Sequence, residues 1–158
     1  MPDEMKPFLE EGIQRYAEAK DTITAFENAM CQLLRSAIES RSWSPLKNSE
    51  VGRPRPGGTG GKDGYWIATS ISGTSPKNEE TEIDCGLWWN APGRSGPIIY
   101  TSFYHKPERL VRFQWKGGQD ISSFDGRNRT FLYVPVPNPL AIEGPINTIL
   151  DALLARLG

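Results

Sequence analysis

Glu82 and Asp84 are the residues best placed to do chemistry. They alternate with Ile83, Cys85 and Leu87 in the run Glu82-Ile83-Asp84-Cys85-Gly86-Leu87-Trp88-Trp89. Successive side chains of a strand point to opposite faces, so the two carboxylates share one face and the three apolar side chains the other. Farther along, Val111, Phe113 and Trp115 alternate with Arg112, Gln114 and Lys116. With both apolar sets turned to the core, Glu82, Asp84, Arg112, Gln114 and Lys116 share the outer face. One of two registers of the intervening strand adds Thr101 and His105. Such carboxylates can hold Mg²⁺ while a lysine orients or activates water, the equipment of a metal-dependent hydrolase. The same residues also describe a solvated polar face whose cross-strand ion pairs are each worth under about 1 kcal/mol.

This set resembles the metal-dependent nucleases of the PD-(D/E)xK type, with Asp84 as the acid and Gln114-Trp115-Lys116 standing for D/E-x-K. The resemblance implies a nuclease site at Glu82, Asp84, Gln114 and Lys116. The chain departs from that pattern in three ways. No Pro-Asp precedes the strand, Gln114 replaces an acid, and a whole strand intervenes between the two motifs.

Other motifs resolve to bland readings. Gly61-Lys62 matches one step of a phosphate-binding loop, but Pro56 stands at the first Gly and Asp63 at the Ser/Thr. That loop also follows a helix and precedes a strand, the reverse of the required order. Cys31 and Cys85 read as buried free thiols. With a single histidine, His105, they offer no zinc-ligand spacing. His105 itself reads as a turn residue. The stretch 120–129 reads as a polar loop whose Arg127 and Arg129 could meet carboxylates or phosphates.

The aromatics are the stronger lead. Twelve of the sixteen fall between Tyr65 and Tyr133, and the pairs Tyr65-Trp66, Trp88-Trp89 and Phe103-Tyr104 put bulk on both faces of their strands. Parity sends Trp89 to the core with Ile83, Cys85 and Leu87, and leaves Trp88 with the carboxylates. Trp, Tyr and Arg dominate interface hot spots. Trp66, Trp88, Tyr104, Arg112 and Tyr133 are therefore the candidate partner-binding residues, with Arg53 and Arg55 as a flexible arm.

These residues need elements to carry them. Apolar residues at heptad spacing (Leu9, Tyr16, Ile23, Met30, Ala37) make 7–41 helical. One helix of that length would run about 50 Å at 1.5 Å per residue, so it must break or project. Asp21-Thr22 offers a cap and predicts two helices, 7–19 and 22–41. A Gly/Pro-rich loop follows over 42–64. Strands are predicted near 65–72, 82–90, 97–105, 109–116 and 130–136, joined by short turns that require antiparallel neighbours. Pro135, Pro137 and Pro139 place the last strand at an edge. Residues 142–157 form a C-terminal helix. The expected fold is α+β: two N-terminal helices, an antiparallel meander of about five strands over 65–137, and a C-terminal helix, all helices on one face.

Length and composition fit one domain over 1–158. Eighteen basic and nineteen acidic residues give a net charge of -1, which disfavours wholesale nucleic-acid binding. No signal peptide or 18-residue apolar run is visible, so a cytoplasmic protein without a membrane partner is expected. The sequence reading is a non-enzymatic protein-interaction domain of inhibitor, immunity, chaperone or accessory-subunit type, needing no cofactor or metal. It binds another protein, or a second copy as a homodimer. A metal-dependent hydrolase and a nucleic-acid-binding module are the alternatives.

Overall fold

The computed structural model describes residues 3–58, 64–76, 79–94, 96–104, 121–126 and 129–157. After a single 3-10 turn (Asp3–Met5), thirty-four residues, Lys6–Glu39, form one unbroken helix, α1. The expected break at Asp21-Thr22 is absent. Thr22 Oγ1 donates to the Glu18 carbonyl one turn back (3.0 Å) rather than capping a new helix, an alternative open to a mid-helix Thr. Ion pairs one turn apart, Arg15–Glu11 and Arg35–Glu39, support both halves. The helix projects instead of breaking. Every described side chain from Met5 to Ala25 is exposed, and burial begins at Phe26.

The C-terminal end of α1 is tied down. Trp43 Nε1 donates to the Ile38 carbonyl (3.1 Å). Arg41 donates to Ala37 O, to Asn147 Oδ1 and to Asp151 Oδ1. The last two belong to the second helix, α2 (Glu143–Leu157).

Between the helices lies one antiparallel sheet. Its strands are β1 (Lys47–Val51), β2 (Arg55–Gly57), β3 (Tyr65–Thr74), β4 (Glu80–Trp89), β5 (Pro97–Tyr104), β6 (Ser122–Gly126) and β7 (Arg129–Pro135). The order is β1-β3-β4-β5-β7-β6, with β2 also on β3. β1 and β2 thus share one edge of β3, pairing with its two halves around Gly52-Arg53-Pro54.

Four expectations are corrected here. The described residues hold two α-helices, not three. The sheet is not a simple five-stranded meander, because β6 lies outside β7, which returns between β5 and β6. And part of the stretch read as loop, 42–64, pairs as β1 and β2 despite its prolines, which an edge strand tolerates. The predicted strand 109–116 lies outside the described residues. Pro135 also sits on an internal strand. β6 ends opposite Tyr133, so Pro135 pairs only with β5, at Ile98, and needs no donor toward β6.

Both helices use the same sheet face. Met30, Leu34 and Ile38 of α1 and Ile146, Ile149, Leu150 and Leu153 of α2 bury against Ile67, Ile71, Ile83, Cys85, Leu87, Ile99 and Leu132. Burial, aided by Asp84, pushes the Cys85 thiol up to about 12. Trp89, expected in this core, is only half-buried and lines an apolar recess beside α1 with Ile23, Phe26, Tyr65 and Leu140.

Candidate functional site

Strand alternation leaves a second set of side chains on the face away from the helices. In register, Trp66 opposes Trp88, Ala68 opposes Gly86, and Gly86 opposes Tyr100. Trp88, Tyr100 and Phe131 form a three-ring cluster, with centroids 5.5 to 6.0 Å apart and tilts of 48 to 58°. Tilted contacts at this distance suit the ring quadrupoles. Trp66 lies close over β2: a Cβ added at Gly57 would fall 2.1 Å from its indole. Only glycine lets the edge strand pass beneath that ring.

The rings wall a recess of about 960 Å³. Its floor is low because Ala68 carries only a methyl group and Gly86, opposite it in register, carries no side chain. A Cβ at Gly86 would sit 2.1 Å from the Ile67 carbonyl oxygen, so this position cannot be built up without moving β3. Arg53 and Arg55 stand exposed at the rim, from the segment linking β1 to β2 and from β2 itself. Among the described residues no ion pair engages either one. Glu82 and Asp84 line the same recess.

Asp84 is already partnered. Arg129 reaches across from β7 and pairs with its carboxylate at 2.5 Å, with both side chains about one quarter exposed. Burial, reinforced by the Asp84 charge, holds the Tyr100 phenol above its ordinary range. Tyr133, nearer solvent, carries the Arg94 guanidinium 4.6 Å from its ring centroid. A hydrogen bond from Arg94 and another from Ser122 lower its phenol pKa.

The structure brings Trp66, Trp88, Arg53 and Arg55 to this one recess, with Tyr133 packed beside the ring cluster. Tyr104 pairs in register with Arg129. Arg112, and the Gln114 and Lys116 of the hydrolase alternative, lie outside the described residues. Among those described, no group of three or more His, Cys, Asp or Glu is placed to hold a metal ion. Sequence reading missed Tyr100, Phe131 and the Asp84–Arg129 pair. Phe131 shares strand parity with Tyr133, a usable signal. Placing Tyr100 and Arg129 required knowing that β7 lies beside β5.

No protein-family model matches the chain, and no curated protein or solved structure matches it significantly. No described helix is long and apolar enough to cross a membrane. The molecule is a small α+β domain whose aromatic cluster and surface ion pairs are consistent with a protein-interaction surface.

Proposed function

We propose that the chain is a protein-binding module whose contact surface is the open sheet face. The observation that carries this reading is the recess itself: Trp66, Trp88, Tyr100 and Phe131 around Ala68, with two guanidiniums at one rim that no ion pair engages among the described residues. Half-buried tryptophans such as Trp66 and Trp88, beside arginines, are what hot spots are made of. The complementary partner segment offers one large apolar side chain to the floor and carboxylates to Arg53 and Arg55. Inhibitor, immunity, chaperone and accessory-subunit roles all use such a surface.

The engagement of Asp84 by Arg129 favours this reading over a carboxylate-based metal hydrolase, because the acid's charge is already compensated within the sheet. Affinity capture from the native host tests the proposal, with wild-type, Arg53→Glu/Arg55→Glu and Tyr16→Glu baits compared side by side. The expected result is a protein retained by the wild type and by Tyr16→Glu and lost from the double arginine variant. Equal retention by all three baits would sink the assignment of this face.

A further inference from the structure

The exposed half of α1 carries an apolar stripe that the described residues leave uncovered. Leu9 (42% exposed), Ile13 (66%), Tyr16 (68%) and Ile23 (52%) recur at helical spacing along it. Small residues, Gly12 and Ala19, lie between them on the same face. At its base the stripe runs into the recess of about 380 Å³ formed by Ile23, Phe26, Tyr65, Trp89 and Leu140. Leu140, on its rim, is 91% exposed.

We infer that this half-helix is the dimerisation element of the chain, pairing antiparallel with the same segment of a second copy and placing Leu9 of each copy in the recess of the other. The heptad positions choose the orientation and the register. In an antiparallel pair each layer joins the two seam rows. The layers then set Leu9 against the partner's Phe26, Gly12 against the partner's Ile23, and Tyr16 against the partner's Ala19. Bulky and small residues alternate, so the layers interdigitate. Beside the seam, Lys6 meets the partner's Glu27 and Arg15 meets the partner's Thr22. Sliding one helix by a heptad keeps the alternation but opposes Lys6 to the partner's Lys20 and Arg15 to the partner's Arg15. A parallel pair stacks Gly12 on the partner's Gly12 and sets Arg15 against the partner's Lys20. Charge favours the first arrangement over the slid register, and charge and volume together favour it over the parallel pair.

The contact is isologous, so it closes at two copies. About 18 residues of each helix take part, about 27 Å at 1.5 Å per residue. A lipid surface fits the stripe less well. The polar side of this half-helix carries Glu10, Glu11, Glu18 and Asp21, whereas interfacial helices are basic there.

Sedimentation over a concentration series tests the proposal on the full chain, with twice the chain mass expected. Gly12→Leu is the decisive variant. A side chain at Gly12 meets nothing within 4 Å in the single copy, and leucine is the better helix former, so the fold is undisturbed. It fills the space that the partner's Ile23 requires, and self-association should weaken about tenfold or more. Ile23→Glu should abolish it. On a Cys31→Ser background, a mixture of Tyr16→Cys and Ala19→Cys chains should form a mixed disulfide dimer that neither forms alone. A monomer at every concentration would overturn the inference. So would tighter association of Gly12→Leu, cross-linking of Ala19→Cys with itself, or a chain that binds phosphatidylserine vesicles and not its own copy.

Discussion

The two faces of the sheet are built from different materials. The face under the helices is aliphatic: Ile67, Ile71, Ile83, Leu87, Ile99 and Leu132 are each at most 1% exposed. The open face is aromatic and charged, and its rings stay half-covered at Trp66 and Trp88. Branched aliphatic chains interdigitate with helix side chains at high density. Flat rings with polar edges hold together without a cover and can still accept one. One face therefore carries the main core, and among the described residues no helix covers the other.

The sharpest way to break this comparison is to truncate a residue on each face. Leu87→Ala, under the helices, should cost about 3 kcal/mol, read by chemical denaturation. Its neighbour Trp88→Ala, although it removes a larger side chain, should cost only about 2 kcal/mol and leave a cooperative transition. An equal or larger loss at Trp88 would make the open face part of the core.

Alkali probes both faces together. Tyr65 lies on the helix side and donates to Glu27 Oε1 at 2.6 Å, while Tyr100 lies on the open side. Burial raises both phenols above their ordinary value near 10, aided at Tyr65 by its bond to Glu27 and at Tyr100 by the Asp84 charge. A raised folded pKa means that the native state keeps a proton the unfolded chain gives up. The resulting stability is fully present below about pH 10 and is lost as pH rises beyond it. Tyr100→Phe should remove up to about 1.4 kcal/mol per pH unit from the steepness of that loss. An unchanged slope would place the titration elsewhere.

The smallest effect is a gain. Thr101 on the helix face is fully buried, and its hydroxyl has no hydrogen-bond partner among the described residues. Thr101→Val should stabilise by about 1 kcal/mol. A loss would reveal a partner for that hydroxyl.

Strand parity was readable from the sequence. It separated Ile83, Cys85 and Leu87 from Glu82, Asp84 and Trp88, and those sets do lie on opposite faces. Alternation is local, so a single strand suffices to reveal it. Strand order is not local. The neighbour of β5 is set by packing between residues some thirty positions apart, and nothing in Thr130 to Val134 announces that β6 will lie outside. The continuity of α1 was also obscure, because Asp21-Thr22 suits a cap as well as a mid-helix position. In the structure the Thr22 hydroxyl turns back to Glu18 and the helix runs on. The open-face cluster was half legible: the types were visible, but their meeting depended on the register of three strands.

The Arg41 clasp bears on the order in which the molecule can be completed. Its guanidinium joins the end of the first helix to Asn147 and Asp151, more than one hundred residues later. At about 5–20 residues per second of synthesis, the first helix waits on the order of 5–20 seconds for its clasp to arrive. Met30, Leu34 and Ile38 lack their α2 contacts throughout that interval. A chain emerging from the ribosome thus exposes two apolar stretches on one helix, of which α2 closes only the second.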